Sequence, residues 1–288
     1  MARPGPVLTY MAGIAVFCAM DALMKALVEH NGAVMATFWR YLAAAFFVLP
    51  FWWREGKPRI TREMLPIHGI RAVVGTVSAV AFFYGLSVLP LAEAVTIAFI
   101  APLLIPPLAA LLLKERMEPA SLAAGMAGFA GVLVATGFDA QALAPRRLSG
   151  VGAVLLSAVA YALVIVITRM RAARDGPALI TLLNALFSTL LIGAVMAVSL
   201  PVSAWTPRRH EVLLVLGVGA TGAVALQLIA RAYAVEQAQR LAPYEYSALF
   251  WAALFGLLFF AEPVSLRTLA GAAIIAGACL WQARRVPA

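Results

Sequence analysis

The sequence predicts an all-α integral membrane protein: ten transmembrane helices forming two inverted five-helix repeats, with both termini cytoplasmic. Three observations carry this reading. The 288 residues are 64% apolar and only 12% charged, with a mean hydropathy of +0.93. A soluble domain carries roughly 25% charged residues, so this chain lacks the polar surface to cover a water-soluble fold. Next, a helix crosses a bilayer with about 20 apolar residues. Ten runs meet that length: 7–28, 32–53, 64–89, 91–113, 119–138, 149–170, 177–200, 211–235, 241–260 and 264–283. The alternating strands of a membrane barrel are absent from the pattern. Finally, the chain is written twice. Ala92–Thr136 is an apolar run broken by Pro102, Pro106 and Pro107, then Lys-Glu-Arg-Met-Glu-Pro, then Gly125, Gly128 and Gly131. Gln239–Trp281 repeats the order with Ala-Glu-Pro, Gly271 and Gly277. Glu115 and Glu262 lie 147 residues apart, half the chain.

Five helices per copy is an odd number, so the second copy enters the membrane upside down, a recurrent transporter architecture. The halves are 1–144 and 145–288, with the seam near Asp139–Ser149. The first span is too long for a signal-peptide core and carries Asp21 and Lys25, so it reads as a retained helix. Asp21-Ala-Leu in span 1 aligns with Tyr161-Ala-Leu in span 6, and Thr37-Phe-Trp-Arg40 in span 2 with Thr181-Leu-Leu-Asn184 in span 7. Placing the N-terminus inside puts thirteen Lys and Arg in the cytoplasm and five outside, as the positive-inside rule expects. The net charge of +9 then reflects orientation and attraction to anionic lipid, not nucleic acid, for which no motif is present. In span 4, Pro102, Pro106 and Pro107 remove hydrogen bonds and act as a hinge or break, tolerated where the backbone lines a cavity. Spans 5 and 10, rich in glycine, read as packing ribs. Spans 1, 3, 4, 6, 8 and 9 carry the polar and aromatic residues that suit a path.

Charges inside a membrane face a cavity or a partner. At a rise of 1.5 Å per residue, Asp21 and Arg40 fall at about the same depth, on the outer side of the middle. They are expected to form an ion pair that holds or gates the outer side, or to touch substrate. Lys25, one turn from Asp21, can join that pair or snorkel outward. Glu93, at the outer end of span 4, reads as solvated. Toward the cytoplasm lie Arg71, Arg231 and Glu245. Arg71 shares a stripe with Gly75, Ser78, Phe82 and Gly85, and Arg231 a face with Gln227; both suit a cavity wall or a packing seam. At α-helical spacing Tyr244, Ser247 and Trp251 share one face of span 9, as Ser157, Tyr161, Val164 and Thr168 do in span 6. An apolar, aromatic lining with few polar groups fits a small solute, although Tyr and Trp also form interfacial belts. The expected substrate-binding set is Trp251, Tyr244, Ser247, Tyr161, Phe82, Ser78, Gln227 and Arg231. No phosphate-binding G-x-x-x-x-G-K-[ST] loop and no zinc-ligand cluster occurs. His30, His68 and His210 are scattered, Cys18 and Cys279 lie inside spans, and no nucleophile–base pair is evident. No catalysis, cofactor or metal is expected.

Pro102 followed by Leu-Leu-Leu-Lys-Glu-Arg and a glycine-rich helix, then Phe-Phe-Ala-Glu262-Pro263 and Gly271, resembles the EamA-type exporters of the drug/metabolite transporter superfamily. Arg40, in Thr-Phe-Trp-Arg-Tyr, resembles that family's arginine in the second helix. The likeness runs the whole chain; YddG-type exporters of aromatic amino acids are the nearest named group. It implies export of small metabolites, aromatic or apolar amino acids and toxic compounds, from the cytoplasm across a bacterial inner membrane. It also implies a monomer working by alternating access, helices 5 and 10 peripheral, and structural roles for Glu115 and Glu262. Small dimeric relatives use a membrane-embedded Glu in their first helix; here Asp21 occupies the first span. Two rivals remain at this point. A nucleotide-sugar or phosphate-ester carrier of the same fold needs several cations in one cavity. A membrane-embedded lipid-modifying enzyme needs a reactive cluster at one interface.

Overall fold

Apolar runs become helices, and the residues between them decide where each helix turns. The computed structural model describes residues 5–114, 118–136, 145–199, 201, 205–261 and 266–285, with the backbone alone at 92, 93, 96, 121, 132, 135, 136, 145, 239, 268, 272, 279, 282, 283 and 285. The side chains of Glu93, Glu115, Glu262 and Cys279, and much of the seam, lie outside that description. The helices are α1 (Pro6–Asn31), α2 (Ala33–Arg54), α3 (Met64–Leu86), α4 (Leu91–Ala98), α5 (Ala101–Leu113) and α6 (Pro119–Thr136), then α7 (Pro145–Asp175), α8 (Pro177–Ser199), α9 (Val212–Val235), α10 (Ala238–Leu241), α11 (Ala248–Phe260) and α12 (Leu266–Arg285). Short 3-10 turns occupy Arg209–Glu211 and Ala242–Ser247. Among the described residues seven helical segments are long and apolar enough to cross a membrane, and Ala101–Leu113, Leu122–Gly131 and Leu269–Ala278 are shorter apolar helices.

Two one-residue reversals shape the bundle. Gly32 joins α1 to α2 with φ +75°, and Gly176 joins α7 to α8 with φ +82°. Only glycine takes this conformation without a Cβ penalty. The predicted span over 91–113 is two helices, interrupted at Phe99–Ile100. Pro102 sits in the first turn of α5, where its missing N–H costs nothing. Pro106 and Pro107 are carried inside α5, so the interruption precedes all three prolines. The predicted span over 241–260 is also interrupted, by the 3-10 turn containing Pro243. Lys114 and Ala261, 147 residues apart, close α5 and α11 in the left-handed region, at φ 56° and 53°.

α1 packs along α9, α3 along α7, α6 along α12, and α2 against α8 and α9. The α6 glycines make room for a side chain: Gly128 lies directly under the ring of Tyr246, whose hydroxyl donates to the Gly125 carbonyl at 3.1 Å. The centre of the molecule, between α1, α3, α7 and α9, is not filled.

Candidate functional site

A cavity of about 170 Å³ opens at that centre. Its wall is mostly apolar and aromatic, with Phe17 from α1, Tyr41 from α2, Phe82 and Phe83 from α3, Phe99 before α5, and Tyr161 from α7. Into it come four charged side chains, Asp21, Arg40, Arg71 and Glu245, each 4–5% exposed. Ser78, Ser157, Thr168, Thr181 and Asn184 add neutral polar groups.

Each charge is held differently. Arg71 donates to Thr168 Oγ1 of α7 at 3.1 Å and to the Ile180 carbonyl of α8. Its Nε has no partner. Arg40 is held by rings: its guanidinium carbon lies 4.4 Å from the Tyr41 centroid and 5.6 Å from that of Phe83, a cation–π arrangement. Its Nε approaches Met20 Sδ at 3.3 Å, and its Nη1 is unpartnered. Asp21 lies within electrostatic reach of Arg40, but its Oδ1 makes no hydrogen bond. Glu245 stands on the 3-10 turn, where Oε1 accepts from the hydroxyls of Tyr10 and, at 3.1 Å, Tyr161. Tyr10 in turn meets the Tyr233 hydroxyl at 2.9 Å. Ser78 and Ser157 join α3 to α7 by their hydroxyls at 3.1 Å.

The structure divides the expected substrate-binding set. Tyr161, Phe82 and Ser78 lie on the cavity wall. Trp251, Tyr244, Ser247, Gln227 and Arg231 do not. On the 3-10 turn positions three apart stand in line, so Tyr244 and Ser247 do share a face, but the face turned to the cavity is that of Glu245 and Ala248. Trp251 stacks on Phe255 at 6.1 Å, and Tyr244 is buried in the core. On α9 the wall residues are Leu226, Ile229 and Ala230. Gln227 and Arg231 sit roughly a third of a turn away at 100° per residue and meet Glu55, at the end of α2. Gln227 donates to Glu55 Oε1 at 3.0 Å, and Arg231 approaches it at 3.8 Å. Glu55 Oε2 accepts from the Ala178 N–H at 3.1 Å, a carboxylate at a helix N-terminus.

The expected direct Asp21–Arg40 ion pair does not form. Among the described residues no nitrogen of Arg40 or Lys25 lies within 4.0 Å of an Asp21 oxygen, because Arg40 is drawn onto the rings of Tyr41 and Phe83. Lys25 sits with its Nζ 4.8 Å from the Phe260 centroid. In the sequence Tyr10 and Tyr233 are lone hydroxyls in apolar runs. Nothing in their spacing links residues 223 positions apart.

A model of the EamA-like transporter family matches residues 6–137 and again 148–282. The chain belongs to this family. Curated relatives of the EamA-like protein include an S-adenosylmethionine uptake transporter of Rickettsia bellii, 26% identical over 95% of this chain and 94% of the relative. A riboflavin transporter of Brucella anthropi is 27% identical over 88% of each, and one of Rhizobium johnstonii is 30% identical over 85% of this chain and 79% of the relative. A solved crystal structure superposes with a TM-score of 0.78 at 24% identity, covering 100% of this chain and 99% of the other. The EamA-like protein is thus a multi-pass membrane transporter, and its named relatives are bacterial transporters.

Proposed function

We propose that the cavity is the substrate site of an alternating-access carrier in a bacterial inner membrane. The carrier has ten spans in two inverted halves, 1–144 and 145–288, with both termini cytoplasmic. The observation that carries the reading is the cavity itself, walled by helices of both halves and holding four buried charges. Such charges are expensive in a membrane unless they serve a path or a partner. Several features support the inverted halves. The family model matches twice. The reversals at Gly32 and Gly176, and the left-handed helix ends at Lys114 and Ala261, recur half a chain apart. Helix neighbours also exchange in the same way: α1 packs on α9 as α7 packs on α3. One chain encloses the whole cavity, which supports a monomer as the working unit.

The substrate is a small metabolite with a flat apolar or aromatic body and polar ends, an amino acid or related compound. The aromatic wall supports the body, and the opposed acids and arginines support the ends. S-adenosylmethionine and riboflavin, for which relatives are named, share that outline. Two arginines answered by two acids fit a phosphate ester less well than a cluster of cations would. Export, as the sequence suggests, and uptake, as the relatives are named, differ only in the gradient that drives a reversible carrier. The test is flux into liposomes carrying the purified protein, with labelled tryptophan, phenylalanine, S-adenosylmethionine and riboflavin. Saturable flux of at least one over empty liposomes is expected; none with any of the four contradicts the reading.

A further inference from the structure

Glu245 differs from the other three charges of the cavity. Asp21 has Arg40 within electrostatic reach. Arg71 is bonded to a hydroxyl and a carbonyl, and Arg40 lies on two rings. Glu245 is 5% exposed, yet among the described residues no Lys, Arg or His nitrogen lies within 4.0 Å of it. Its neighbours are hydroxyls, and Tyr10 and Tyr161 both donate to Oε1. Among the described residues Oε2 accepts no hydrogen bond, and the residue lines the cavity.

This geometry fixes a carboxylate without neutralising it. Tyr10 comes from α1 and Tyr161 from α7, so two helices hold one oxygen in place, and the Tyr233 hydroxyl of α9 braces Tyr10. A buried ionised carboxylate without a cation is costly, and the cost falls when a cation arrives from the cavity. The rings of Tyr161 and Phe17 also line the cavity and favour an ammonium or sulfonium over a neutral group. We infer that Glu245, held by the tyrosine hydroxyls, is the cavity's cation-binding group and takes the positively charged part of the substrate. This rests on the cavity being the substrate site, and it makes Glu245 a specificity-determining residue.

Three ligands sharing an indole ring test it by binding to the purified protein at pH 7: tryptamine (cation), tryptophan (zwitterion) and indole-3-propionate (anion). The wild type is expected to bind tryptamine and tryptophan at least about tenfold tighter than indole-3-propionate. Glu245→Gln is expected to lose about tenfold or more for the two ammonium-bearing ligands and to leave the anion unchanged or tighter. Should Glu245→Gln fold poorly, Tyr161→Phe, which removes one donor to Oε1, is expected to shift the preference in the same direction. Equal losses for all three ligands, a wild-type preference for the anion, or no binding of tryptamine overturns the assignment. Binding that follows this pattern with no flux in liposomes would contradict the transport reading alone.

Discussion

A hydrogen bond ties the start of α3 to the end of α7 beyond the cavity. His68, fully buried, donates from Nε2 to Asp175 Oδ2 at 2.8 Å. Arg171 grips the same carboxylate with two bonds, at 2.6 and 2.8 Å. A counterpart ties α1 to the start of α9, where Asn31 Nδ2 donates to Glu211 Oε1 at 2.8 Å. Asn31 and Asp175 both end the first helix of a half, and His68 and Glu211 both stand near the start of a third. On the proposed inverted arrangement the two ties face opposite sides of the membrane, and each is expected to release when its own side opens. His68→Ala removes a hydrogen bond to a charged group, worth about 1.5–3 kcal/mol. The state open on the Asp175 side should therefore gain roughly 10- to 150-fold in population. Cys18 reports this, since it lines the cavity and is 4% exposed. With Cys279 replaced by serine, an impermeant maleimide added from the Asp175 side should label Cys18 at least about tenfold faster in His68→Ala than in the parent. Labelling from the opposite side should not rise. An unchanged rate, or equal gains from both sides, refutes the tie as a gate.

Other substitutions probe the surroundings. Gly128→Val drives a side chain into the ring of Tyr246 and should cost about 1–3 kcal/mol of stability, read as a lower unfolding midpoint with substrate preference retained. Arg231→Ala should change the binding constant of any transported substrate less than about twofold, because Arg231 stands outside the cavity with Glu55; a tenfold loss would return it to the site. The Glu211 carboxylate accepts from the Asn31 amide at 2.8 Å and from the Arg208 N–H at 2.9 Å. Glu211→Ala leaves both donors without that partner and should cost about 1.5–3 kcal/mol of stability, read as a lower unfolding midpoint.

The helices were legible because each apolar run had bilayer length and ended at Gly, Pro or charge. Gly32 and Gly176 were visible only as glycines; the reversals they make needed the backbone. The 91–113 run breaks at Phe99–Ile100, ahead of all three prolines; Pro102 opens the helix that follows, and Pro106 and Pro107 are carried inside it. The candidate site was legible on α3 and α7, regular helices on which Ser78, Phe82 and Tyr161 could be placed by counting. It was not legible on the 241–260 run, where no local signal told that the face of Glu245 and Ala248, and not that of Tyr244 and Ser247, meets the cavity. On α9 the counting was sound, but no local signal told which face met the cavity and which met Glu55. Arg40 was placed near Asp21, and the competing rings of Tyr41 and Phe83 decided its direction.

Substrate is proposed to pass through the cavity between the two halves. Ala79 lines it from α3, and Ala79→Trp would fill it with an indole ring. Initial flux of a transported substrate into liposomes should be compared for wild type, Ala79→Ser and Ala79→Trp, at equal protein density and matched unfolding midpoints. The account predicts near-normal flux for Ala79→Ser and background flux for Ala79→Trp; wild-type flux through Ala79→Trp would contradict it.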